Sequence, residues 1–260
     1  MSRLVEKLEK VDQASPKPIG FRSDAKQSQE VRSILLLGTV TPGKLSRITK
    51  RQKTLVDAFL VELDPDNEKV VADTADAFEG LIWGASASQF DAARISSLKR
   101  AGCDFIVFEA SGTAAEVLND QDIGKFICVS GDLAEDVAAA IHDLPLDGAL
   151  FSPETLALPL SVRQLIELQR IRGMLGKIFV VEAPNEIGSP DLEVVRDGGT
   201  AALLVDAVSK STADLASRID ALPPKRPRQD SRDDMVPRVP AGPSFGVEPH
   251  VDDDEEEEDY

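Results

Sequence analysis

Histidine is almost missing from this 260-residue chain, with His142 and His250 the only two. That removes the commonest imidazole metal ligand and acid–base group from nearly every position. Cysteine is equally scarce. Cys103 and Cys128 fall at or inside predicted strands and read as small buried hydrophobes of a reducing compartment, which makes the cytoplasm the expected location. No apolar run exceeds the length of a strand, so no membrane-spanning helix is expected. The opening MSRLVEKLEK interleaves charge with Leu4, Val5 and Leu8 and lacks the unbroken apolar stretch of a signal peptide. The net charge is -17, and residues 223–260 contribute -7 of it through 12 acids and 5 bases. An acidic body argues against general nucleic-acid binding, because phosphate attraction needs clustered Lys and Arg, so neither nucleic acid nor membrane is an expected partner.

What the chain does have is a recurring phrase, three apolar residues followed by one small or acidic residue. It occurs eight times, ending at Gly38, Glu62, Gly84, Glu109, Ser130, Ser152, Glu182 and Asp206. The spacings are 24, 22, 25, 21, 22, 30 and 24 residues, each the length of a strand, a helix and two short loops. The apolar runs show no polar alternation, which suits parallel strands buried on both faces. Amphipathic stretches lie between them: 88–100, 133–142, 161–175, and helix starts at Ser189-Pro190 and Thr212. Eight such units predict an α/β fold, a closed (βα)8 barrel of the TIM type over residues 34–222. An open doubly wound sheet is the alternative, but no Gly-x-Gly-x-x-Gly fingerprint follows the first strand. Residues 1–33 read as an N-terminal helix, Ser2 to about Val11, and an arm that Ile19 and Phe21 pin to the barrel. Residues 223–260, with seven prolines and the ending VDDDEEEEDY, read as a disordered acidic tail.

In such barrels the functional groups lie at the C-terminal ends of the strands. Even-numbered strands would place Glu62, Glu109, Ser152 and Asp206 in one layer, with Asp64, Asp66, Asp132 and Glu154 in the loops beyond. Glu109 is the candidate base or metal ligand, Glu62 and Asp206 the acid partner or co-ligands, and Ser152 a polar contact. Carboxylates suit Mg²⁺ or Mn²⁺, or crowd one another into acid and base roles. No predicted strand end carries Lys, which excludes a Schiff base. No Ser or Cys stands beside a His, which excludes a nucleophile–base pair.

The segments Glu182-Ala183-Pro184-Asn185-Glu186-Ile187-Gly188-Ser189-Pro190-Asp191 and Asp197-Gly198-Gly199-Thr200 through Asp206 resemble the end of phosphate-binding (βα)8 barrels, such as those of tryptophan and histidine biosynthesis. The resemblance implies an anion held at helix N-termini by Ser189 and Lys210, with Ser209, Ser211 and Thr212. It departs where the family keeps glycine, because this chain has Asp206 after the last strand and Glu182-Ala183 after the seventh. Two readings of function follow. One is a compact barrel enzyme using carboxylates, with or without a divalent metal, for lyase or isomerase chemistry. The other is an inactive barrel serving as a scaffold, through a homo-oligomeric contact on the apolar helix 161–175 and a basic protein bound to the acidic tail.

Overall fold

The computed structural model describes residues 2–12, 32–153 and 156–225. The segment holding Ile19 and Phe21, and the tail from residue 226, lie outside the described residues. Eight parallel strands close into a barrel in sequence order. They are β1 (Leu35–Val40), β2 (Ala58–Glu62), β3 (Trp83–Ala87), β4 (Phe105–Phe108), β5 (Gly124–Val129), β6 (Gly148–Phe151), β7 (Ile178–Glu182) and β8 (Ala202–Asp206). The seam is the β1–β8 pairing, Leu35 with Ala202 through Thr39 with Asp206. The barrel is therefore closed, not the open sheet.

The helices are α1 (Arg3–Asp12), α2 (Lys50–Leu55), α3 (Glu68–Ala77), α4 (Ala92–Arg100), α5 (Glu135–Asp143), α6 (Val162–Leu175), α7 (Ser189–Asp197) and α8 (Thr212–Asp220). One expected unit is incomplete. The link from β4 to β5 carries two 3-10 turns, Ala110–Gly112 and Ala115–Asn119, in place of an α-helix. It corresponds to the shortest spacing in the repeat, 21 residues. Lys125, 5% exposed on β5, ties this link down by donating Nζ to the carbonyls of Leu118 (2.9 Å) and Asp120 (2.8 Å).

Alternation along each strand divides the apolar residues into two clusters. Outward side chains such as Leu36, Phe59, Ile106, Phe151 and Val205 pack under the helices, against Leu98, Leu168, Ile171, Leu192 and Leu215. Inward side chains, including Leu37, Leu60, Phe105, Val107, Phe126, Leu150, Val180 and Leu204, fill the barrel. The interior alternates large with small: a β-carbon on Gly84 would lie 2.5 Å from the Phe105 carbonyl and 2.6 Å from its ring, and one on Gly148 would lie 2.4 Å from the Phe126 ring. Phe105 and Phe126 meet edge to face at 5.9 Å.

The N-terminal helix does more than the word arm suggests. Leu4, Val5, Leu8 and Val11 of α1 belong to the inward cluster and seal the end of the barrel where the strands begin. Asp104, just before β4, caps this helix from about a hundred residues away. Its carboxylate accepts from Ser2 Oγ at 2.7 Å and from the backbone N–H of Arg3 and Leu4, each at 2.9 Å. Burying Leu4 and Leu8 contributes about 3–6 kcal/mol together. Asp104→Ala leaves two backbone donors and a hydroxyl unmatched, and should cost about 1–3 kcal/mol in denaturant unfolding. Leu8→Ala should cost about 2–5 kcal/mol. A loss below about 0.5 kcal/mol for Leu8→Ala would mean that α1 is not seated in the barrel.

Candidate functional site

At the opposite end, the last inward residues of the strands surround an open cavity of about 1070 Å³. Its floor is apolar, made of Leu60, Val107, Leu150 and Leu204. Two residues further along three of those strands come Glu62, Glu109 and Ser152, on the same inward face, and all three line the cavity. Stepping round the barrel through the strand pairing places Asp206 at the same height. Odd-numbered strands contribute Thr39, Ser86, Cys128 and Glu182.

Three of these odd-strand residues were missed in the sequence. The repeat phrase marks Gly38 and Gly84, but β1 runs on to Val40 and β3 is shifted to Trp83–Ala87. Gly38 faces outward, where a β-carbon would lie 2.7 Å from that of Ala207, and Gly84 sits one layer down beside Phe105. The usable signal was the polar residue one or two places on, Thr39 and Ser86. Cys128 departs from the buried-hydrophobe expectation. Cys103 is buried, whereas Cys128 is half-buried and lines the cavity.

Glu62 and Glu109 make no hydrogen bond or ion pair among the described residues. The other acids are engaged. Glu182 accepts a short hydrogen bond from Ser152 Oγ. Asp66 pairs with Arg94 at 2.6 Å, and that guanidinium holds its carboxyl below the usual range. Asp132 accepts from Ser130 Oγ, which lowers it likewise. Glu154 lies outside the described residues. Among the described residues, no three His, Cys, Asp or Glu side chains come close enough to hold a metal ion. Glu62, Glu109 and Asp206 share a layer but do not form a ligand cluster for Mg²⁺ or Mn²⁺.

The loops after β7 and β8 are filled by their own side chains. Asp206 Oδ1 accepts from the N–H of Val208 at 2.9 Å, so a carboxylate occupies a backbone donor that an anion would need. Asn185, 5% exposed, donates to the Asp206 carbonyl (3.1 Å) and to Thr212 Oγ1 (3.0 Å). Ser209 Oγ accepts from the N–H of Ser211, and Ser211 Oγ donates to Glu186. Ser189 opens α7 behind an N-cap at Gly188, one residue earlier than expected, and Lys210 is exposed. His142, the one histidine among the described residues, packs far from the mouth, its Nδ1 2.9 Å from the carbonyl at the end of α6.

Eight parallel strands in a closed ring, with polar residues at their C-terminal ends, define a (βα)8 barrel of the TIM type. No protein-family model and no curated protein matches the sequence. Solved structures do match in fold. The chain is similar to 3-keto-L-gulonate-6-phosphate decarboxylase from Vibrio cholerae, at 14% identity over 74% of this chain and 99% of that one, with a TM-score of 0.55. A mutant tryptophan synthase α-subunit from Pyrococcus furiosus matches at 9% identity over 72% and 97%, with a TM-score of 0.54. 7,8-Dihydropteroate synthase from Vibrio fischeri matches at 10% identity over 72% and 92%, with a TM-score of 0.51. Identities this low establish the fold alone. No helix among the described residues is long and apolar enough to cross a membrane.

The two thiols report on this geometry. Burial pushes the Cys128 thiol up, and the nearby charges of Glu109 and Glu182 add to the shift. Burial, with a smaller contribution from the charge of Asp104, takes Cys103 up to about 12. Thiolate is the reactive form, so native labelling should be slow at neutral pH, accelerate as pH rises, and stop at one thiol per chain. Glu109→Gln removes one of the charges that disfavour thiolate and should speed labelling of Cys128 at fixed pH. An unchanged rate would place Glu109 away from the cavity.

Proposed function

We propose that the barrel mouth binds a small organic molecule carrying a positive charge or several hydroxyl groups, and that Glu62 and Glu109 move a proton on it. This is chemistry of the lyase or isomerase class. The observation that carries the reading is the pair of unpartnered carboxylates in one inward layer, above an apolar floor, in a cavity of about 1070 Å³. An unpaired carboxylate over apolar side chains is a general base whose proton acceptor positions point at whatever enters the cavity. Glu109 takes the proton and Glu62, in the same layer, returns one. Thr39 and Ser86, with the paired Ser152 and Glu182, supply hydroxyl and carboxylate contacts that fix the ligand's orientation. The neighbours of similar fold include a decarboxylase and a synthase by name, which is consistent with the class. A phosphorylated substrate does not suit the site, because Asp206 and Glu186 surround the loops that would receive the phosphate.

A second reading, a barrel that serves as an interaction scaffold, is favoured by α6. Val162 and Ile166 on that helix are 73% and 63% exposed, while Leu168, Ile171 and Leu175 face the core. The expectation that the helix serves both core and contact surface therefore stays a proposal for the homo-oligomer.

Thermal melting against a panel of small amines and polyhydroxylated compounds separates these readings. A ligand at a hundred times its dissociation constant adds about 2.7 kcal/mol. That corresponds to a rise of roughly 5–10 °C for a barrel of this size. The shift should vanish in Glu109→Gln and Glu62→Gln, whose unliganded melting points should match that of the parent because both side chains are exposed and make no hydrogen bond or ion pair among the described residues. Wild-type protein with a binder should also exchange a carbon-bound proton of that compound for solvent deuterium, and Glu109→Gln should not. A panel that leaves the wild type unmoved while inorganic phosphate raises its melting point would overturn the proposal.

A further inference from the structure

One stretch of this acidic protein is basic and contains no acid of its own. Residues 41–56 contain Lys44, Arg47, Lys50, Arg51 and Lys53 and no Asp or Glu. Lys53 is spoken for: its Nζ donates to the Ala77 carbonyl and lies 5.8 Å from the centre of the Phe78 ring. Lys44, Arg47, Lys50 and Arg51 are exposed, and none makes a side-chain hydrogen bond or ion pair among the described residues. Their backbone is fixed. Pro42–Arg47 form a 3-10 turn, and Thr49 and Gln52 close a capping box at the start of α2. Gln52 Nε2 also donates to the Ala207 carbonyl at 2.9 Å, tying α2 to the loop that carries the exposed Lys210. Cations on a rigid frame lose little freedom on binding, which is the arrangement of a docking surface.

We propose that this basic face binds the acidic run Asp252–Asp259 of a second copy of the chain. The run holds eight carboxylates in succession. In an extended peptide, every second side chain falls on one side at intervals of about 7 Å. Lys44 and Arg47, one 3-10 turn apart, are about 6 Å apart along their axis. The two spacings match closely enough for consecutive pairing. The 26 residues from 226 to 251 can span roughly 85 Å when extended, ample to reach a neighbouring barrel. Two copies exchanging runs reciprocally make two such contacts at once, a closed two-fold dimer with the avidity of paired sites. The footprint is short and set in a body, residues 1–222, of net charge -10, so a long polyanion such as nucleic acid would overlie repelling surface.

The test uses the full-length protein in sedimentation equilibrium. A dimer is expected at about 0.05 M salt and a monomer at about 0.5 M, where screening is nearly complete. The quadruple charge reversal Lys44→Glu, Arg47→Glu, Lys50→Glu, Arg51→Glu should weaken association at least tenfold while leaving circular dichroism and melting unchanged, since all four side chains are exposed. A synthetic peptide of residues 251–260 should dissociate the wild-type dimer. A wild-type monomer at low salt and micromolar concentration overturns the proposal, including the case in which the run serves its own barrel. A dimer that survives charge reversal moves the contact elsewhere, to the Val162 and Ile166 face. A single-stranded oligonucleotide that competes better than the peptide reassigns the surface to nucleic acid.

Discussion

The interior of an eight-stranded barrel has to be filled by side chains, and that requirement orders everything else in this protein. Two glycines, Gly84 and Gly148, make room for two phenylalanine rings across the middle. Leu4 and Leu8 of α1 close the end where the strands begin. With the middle and that end occupied by apolar groups, charged side chains can be accommodated inside only at the other end. The layer of Glu62, Glu109, Ser152 and Asp206 sits there because water reaches it, and the apolar floor beneath it is the top of the packing.

Charge in the molecule is separated, not spread. The mouth concentrates carboxylates, and next to it the turn after β1 and the start of α2 concentrate cations. Among the described residues no ion pair joins the two sets; Asp66 beside the mouth is paired instead with Arg94 of α4. Unpaired charge of both signs on one rim costs stability through like-charge repulsion within each group. The loops after β7 and β8 show the opposite treatment. There Asp206, Asn185, Ser209 and Thr212 engage one another and the backbone of their own loops.

The strand repeat was legible because barrel strands are buried on both faces and read as unbroken apolar runs. Six of its seven spacings hid a helix, and the shortest hid only two 3-10 turns. The carboxylate positions were legible too, because a strand's last residue inherits the direction of the apolar residue two before it. Thr39, Ser86 and Cys128 were not, since the phrase ended at a glycine in β1 and β3, and in β5 it stepped past Cys128 to Ser130. The seating of α1 was invisible for a different reason. Its amphipathic pattern says that one face is buried but not against what, and its cap, Asp104, comes from a distant part of the chain. The pairing of Asp206 with the Val208 N–H needed backbone geometry that no residue pattern encodes.

The long separation between α1 and its cap has a consequence for how the molecule is made. Residues 3–12 leave the ribosome well before Asp104, and before Leu150, Val180 and Leu204, which complete the chamber that receives them. During that interval the segment lacks the barrel interior that buries its four apolar residues. The contacts of α1 with β4, β6, β7 and β8 span long stretches of sequence, which slows their formation. A chain halted short of β8 would present two sticky surfaces at once, an unclosed sheet edge and a free apolar helix, and such intermediates are the ones chaperones recognise.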